Sequence, residues 1–118
     1  MPFEQILKKM TRQVDGAIGA IFVDREGEAI AYDAGRSGEE IKLMGASYGI
    51  VWFEIEALMG RTAGLRPTEI VISSERGICL MKPLQKDYFL FLVFNPAGNL
   101  GQARRWMRWA VEEIQREM

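Results

Sequence analysis

Two short segments of the chain are apolar on both of the faces that a strand presents. In residues 17–24, Ile18, Ala20 and Phe22 alternate with Gly19, Ile21 and Val23. In "DYFLFLVF", residues 87–94, Tyr88, Leu90, Leu92 and Phe94 alternate with Phe89, Phe91 and Val93. A strand with two apolar faces must be covered on both. These two therefore belong at the centre of a sheet with helices above and below it.

The remaining segments fill outwards from that centre. Residues 28–33 alternate weakly, as an edge strand does, and follow the Asp24-Arg25-Glu26-Gly27 turn, where a positive φ is cheap at Gly27. Thr68 to Ser73 is rich in β-branched residues, and a Ser74-Glu75-Arg76-Gly77 turn leads to a strand from Ile78 to Lys82, which Pro83 either ends or flanks at a strand margin. Helical spacing of Phe3, Ile6, Leu7, Met10 and Val14 predicts a first helix. A capping box at Ser37 and Glu40 starts a middle helix that runs to about Arg61, with Gly64 and Pro67 beyond it. A second capping pattern, Asn99 and Gln102, starts a last helix whose stripe is Leu100, Ala103, Met107, Ala110, Val111, Ile114 and Met118. The expected fold is an α+β sandwich over residues 1–118, a single domain. Its order is α-β-β-α-β-β-β-α, and its five-stranded antiparallel sheet has order 2-1-5-4-3 with helices on both faces.

The middle helix has more apolar surface than one sheet can cover. At about 100° per residue, Ile41, Met44, Tyr48, Trp52, Ile55 and Met59 form one face. Leu43, Ala46, Ile50, Phe53 and Ala57 form another, roughly opposite, with Glu40, Ser47 and Glu54 in one gap and Gly45, Gly49 and Gly60 in the other. The first face suits the sheet. The second needs its own cover, and the two other helices each have only one apolar stripe. Self-association is therefore expected ahead of a helix simply central in a single-chain core, through Leu43, Ala46, Ile50, Phe53 and Ala57 and through the third strand, where Ile70, Val71 and Ile72 stand at a sheet edge short of charge in its centre.

The chemistry is sparse. There is no histidine, which removes the commonest general base and metal ligand and any Ser-His or Cys-His pair. No phosphate-binding Walker motif occurs, and acidic residues at 24, 26 and 28 lack the remaining ligands of a calcium loop. No enzymatic activity, cofactor or metal is expected. The lone Cys79 alternates within a strand and reads as a buried, inert thiol. Arg104, Arg105 and Arg108 beside Trp106 and Trp109 are of the kind that can bind nucleic acid or a partner, but read first as a solvated helix face, where Arg108 and Glu112 can pair at i,i+4. A net charge of −1 and a pI near 5.5 give no global basic field to attract nucleic acid or anionic lipid. With 48% hydrophobic residues, one cysteine, no signal-peptide pattern and no run long enough for a membrane span, a folded cytoplasmic protein is expected.

"VDGAIGAIFVDREGEAIA" and "YFLFLVFNPAGNLGQAR" carry a further signal. They resemble the opening hairpin, and the last strand with its loop into the final helix, of the Roadblock / dynein light chain family, which includes the bacterial MglB-type regulators. Helix order and strand count match that family over nearly the whole chain. The resemblance implies a profilin-like fold and a homodimer built on the middle helices and third strands. It also implies a regulator or scaffold for a Ras-like small GTPase, or a motor-associated adaptor. Some MglB-type members stimulate GTP hydrolysis without inserting an arginine finger. The polar flank Glu40, Ser47 and Glu54 is then the expected partner surface. The alternative is a small-molecule sensor, which requires a cavity lined by polar groups.

Overall fold

The computed structural model describes residues 2–33 and 38–118; of residues 38–43 it describes the backbone alone. Over these residues the chain runs α1 (Phe3–Gln13), β1 (Ala17–Val23), β2 (Ala29–Asp33), α2 (Gly38–Ala63), β3 (Ile70–Ser73), β4 (Ile78–Pro83), β5 (Phe89–Phe94) and α3 (Leu100–Glu117). All strand pairs are antiparallel and the order is β2-β1-β5-β4-β3, as the hydropathy pattern predicts.

The doubly apolar strands divide their side chains between two cores. Phe22, Leu90, Leu92 and Phe94 pack with Ile6, Leu7 and Met10 of α1 and with Ala103, Met107, Ala110 and Ile114 of α3. Ile21, Val23, Phe89, Phe91 and Val93 pack on the other side with Trp52 of α2. Two helices thus cover one face of the sheet and α2 alone covers the other. Trp52 is the largest of the wholly buried side chains, its ring 5.3 Å from that of Phe89. Trp52→Ala should cost about 3–5 kcal/mol in chemical denaturation. Trp52→Phe should cost much less, because the indole N–H it removes is buried without a hydrogen-bond partner among the described residues.

Two β-bulges modify the predicted alternation. Between Ala17 and Gly19 the β1–β5 register slips, so Ile18 does not share a face with Ala20 and Phe22. A Cβ placed on Gly77 would stand 3.5 Å from Val93 Cγ1 and 3.9 Å from Ile18 Cδ1, which puts Ile18 on the α2 side, 49% exposed. A second slip, opposite Phe22 and Val23, leaves Ile30 as the extra residue of β2.

Local signals explain the joints. Gly27 has φ of 83°, and Asp24 Oδ1 accepts from the backbone N–H groups of Glu26 and Glu28 at 2.9 and 3.0 Å. That carboxylate is a turn former. Gly64, at φ of 65°, ends α2: its N–H donates to Gly60 O at 3.2 Å, an αL closure, and the Leu65 N–H reaches back to Met59 O at 3.3 Å. Asn99 caps α3 by accepting from the Gln102 N–H at 2.9 Å. The reciprocal half of the predicted capping box is absent, because Gln102 Oε1 instead accepts from the Asp15 N–H at 2.9 Å and ties α3 to the α1–β1 turn. Ser37 and the Glu40 side chain lie outside the described residues.

The last strand begins at Phe89, later than its hydropathy predicts. Gln85–Tyr88 form a tight hairpin turn of the I′ kind first, in which the central residues Lys86 and Asp87 both take positive φ, 62° and 63°, and the Tyr88 N–H donates to Gln85 O at 3.4 Å. Side chains with a Cβ rarely adopt that conformation. The turn is held from outside, since the Gln85 N–H donates to Gln115 Oε1 of α3 at 3.1 Å.

Candidate functional site

Helix α2 has 26 residues, and the sheet accounts for one side of it. Met44, Tyr48, Val51 and Trp52 lie against the sheet core. Gly45 permits the close approach: a Cβ there would sit 2.8 Å from Ile21 Cδ1. On the other side Ala46, Ile50, Phe53 and Ala57 are exposed, in the pattern that the helical period predicts. Ile50 is 61% exposed and Leu58, which sequence reasoning did not single out, 56%. Phe53 is more embedded, at 37%, because its ring meets that of Phe89 edge-on at 5.3 Å. Ser47 and Glu54 are exposed on the same helix. The side chains of Leu43 and Glu40 lie outside the described residues.

Strand β3 closes the sheet on the side away from β2, and its outer edge has no strand partner among the described residues. Ile70, Val71 and Ile72 are half-buried. Ile70 and Ile72 belong to the core under α2, and Val71 to the core under α1 and α3. The expected interface residues with described side chains therefore fall into two features, an exposed helix face and a half-buried strand at the sheet edge.

The charged groups near β3 have a structural assignment. Both carboxylate oxygens of Glu69 accept from Arg104, through Nε at 3.0 and 3.2 Å and Nη2 at 2.8 Å, and Lys82 Nζ is 3.7 Å away. Hydrogen bonding from Arg104 holds the Glu69 carboxyl below its usual range, against the opposing effect of burial. Arg104 is thus committed to a strand-to-helix tie. The predicted Arg108–Glu112 pair does not form; among the described residues Arg108 has no ion pair, and Arg116 pairs with Glu113 instead. Cys79 is buried, and burial pushes its thiol far above the ordinary range, which removes it as a nucleophile at neutral pH. Among the described residues no group of three or more acidic, cysteine or histidine side chains converges as a metal site would require. No helix among them is long and apolar enough to cross a membrane.

No protein-family model matches the chain, and no curated protein matches its sequence. Solved structures do match its shape. A Roadblock/LC7 domain from Streptomyces avermitilis superposes with a TM-score of 0.89 at 10% identity, covering 97% of this chain and 95% of that one. The fold is that of the Roadblock/LC7 domain. Myxococcus xanthus MglB matches with a TM-score of 0.85 at 13% identity, covering 97% of this chain and 92% of its own. MglC from Myxococcus xanthus matches with a TM-score of 0.70 at 24% identity over the full length of both chains. At such identities the Roadblock likeness is one of fold. It agrees with the sequence resemblance in the hairpin and in the strand, loop and helix at the chain's end.

Proposed function

We propose that this chain is a non-catalytic homodimeric regulator or scaffold that binds a Ras-like small GTPase. The observation that carries the reading is the outward face of α2, where Ile50 and Leu58 are more than half exposed on a Roadblock fold. Isolated surface hydrophobics are ordinary, but a run of them along one helix, next to an unpaired sheet edge, is the kind of surface that a second copy covers. A filled interior supports this reading over a small-molecule sensor. Both cores consist of side chains almost wholly withdrawn from solvent, and a polar-lined hollow of about 550 Å³ beside Glu4, Glu28 and Tyr32 lies along β2 at the sheet edge rather than inside either core.

Crossed α2 helices would leave their flanks in water. Ser47 and Glu54, with Glu40, make that flank polar, as suits a reversible partner. A two-fold dimer offers the surface twice, and one GTPase over the axis excludes a second by sterics, so the expected stoichiometry is one GTPase per dimer. Preference for one nucleotide state follows, because GTPase switch loops differ between states.

The test begins with capture of the GTPase from native lysate and proceeds to calorimetry with each nucleotide state. The expected result is one site per dimer, a clear difference between states, and at least about tenfold weaker binding by Glu54→Lys with the dimer intact. Equal affinity for both states would remove the regulatory role. Unchanged affinity in Glu54→Lys would remove this flank as the contact.

A further inference from the structure

The net charge of −1 conceals a separation of charge between layers. Helices α1 and α3 hold seven Lys and Arg against four Glu, a balance of +3, and the rest of the chain carries −4. The two helices run antiparallel: Asp15, just past α1, meets Gln102 in the first turn of α3, while Lys9 lies 5.0 Å over the ring of Trp109. This brings the second half of α1 beside the first half of α3. Lys8, Lys9 and Arg12 thereby join Arg105, all exposed, beside Trp109, while Arg108 lies on the other flank of α3, in a groove with Arg104, Glu69 and Lys82. The acidic residues Glu112 and Glu113 lie towards the opposite end of the layer, and Glu4 pairs with Lys8 at 3.4 Å. Lys9, Arg12 and Arg105 make no ion pair among the described residues. Beside them a groove of about 320 Å³ is lined by Lys8, Lys9, Arg12, Gln5 and Gln13, which offer only donors or amides to an incoming group.

We propose that this surface docks on an anionic lipid bilayer, with lipid headgroup phosphates as the recognised chemistry. Charge complementarity selects an anion, and the geometry selects a planar one. The cations stand on the outer side of two adjacent helices, a plateau with the sheet behind it. They form a compact cluster at one end, where a polynucleotide would need a continuing basic track and would meet Glu112 and Glu113. Base stacking is also obstructed, because Lys9 covers the Trp109 ring and Trp106 packs edge-on against it at 5.5 Å. Docked in this way, the protein turns α2 away from the membrane. The proposal stands on the monomer's charge distribution and needs neither the dimer nor the GTPase.

The experiment is co-sedimentation of the full chain with vesicles in which about a third of the lipid is phosphatidylglycerol, against pure phosphatidylcholine vesicles, at low salt. Retention on the anionic vesicles alone is expected, with loss near 0.5 M salt, where charges are screened within roughly 4 Å. Each cation near the surface is worth about fivefold in affinity, so Lys9→Gln with Arg12→Gln and Arg105→Gln should weaken binding about a hundredfold. The three residues are exposed and make no ion pair among the described residues, so a nearly unchanged melting curve is expected for the variant. Failure to bind anionic vesicles, equal binding to the neutral ones, or full binding by the triple variant overturns the proposal. So does displacement from vesicles by an equal charge concentration of duplex DNA. No GTPase is present in this assay, so its failure and that of the regulatory reading are separate results.

Discussion

Ile50→Glu combined with Phe53→Glu should convert the proposed dimer to a monomer. At 61% exposure Ile50 tolerates a carboxylate in the isolated subunit, so the loss would be confined to association. In a two-fold interface each substitution occurs twice, and four carboxylates would be desolvated without partners. Even at a discounted cost of about 1 kcal/mol each, the dissociation constant should rise roughly a thousandfold. Light scattering at micromolar concentration reads the mass directly. Ile50→Glu alone is the control for folding, because Phe53 also packs its ring on Phe89. A monomeric mass for the unsubstituted chain would end the dimer reading. So would a dimeric mass for the double variant.

Val71→Cys should cross-link two copies across the axis. A two-fold axis perpendicular to the sheet keeps each face on its own side, so residues opposite one another across the β3 edges must share a face. Ile70 and Ile72 lie on the α2 side, and Val71 on the other. Val71 opposite Val71 of the second copy is the register that also sets each Ile70 against an Ile72. Directly opposed Cα atoms in an antiparallel pair are about 4.5–5.5 Å apart, inside the range a disulfide spans. In a Cys79→Ala background, mild oxidation should give a nearly complete cross-linked dimer on non-reducing gels, while Ile72→Cys gives little. The reverse outcome would move the axis by one residue. Cross-linking by neither would separate the β3 edges.

Much of this architecture is legible in the sequence, for a physical reason. β1 and β5 announce themselves because burial on both faces leaves no polar position to disguise the strand. The sheet order then follows from hairpin neighbours. The outer face of α2 is legible because period and hydrophobicity both survive along a long helix. What escapes the sequence is what adds or omits a residue without changing composition. The bulge at Ile18 moves one side chain across the sheet, yet the run "AIGAIFV" reads the same with or without it. Lys86 and Asp87 adopt the left-handed region without a glycine to signal it, so the start of β5 is misplaced by two residues. The basic cluster is invisible for another reason. Lys8, Lys9 and Arg12 are separated in sequence from Arg105 by nearly the whole chain, and only the antiparallel packing of α1 on α3 unites them.

The extra residue at Ile30 bears on how far an assembly of these chains can grow. A sheet joined through β3 would end in two β2 strands, one at each extremity. Such a particle is divalent, and every collision between open ends is a potential step of linear polymerisation. Ile30 interrupts that reaction geometrically. A straight strand offers an incoming edge an unbroken series of donors and acceptors, but one surplus residue within a five-residue strand throws the series out of phase part-way along. An approaching β2 could match one half of the ladder or the other, never both. Growth by that route stops at the pair, with the chain terminator written into the strand itself.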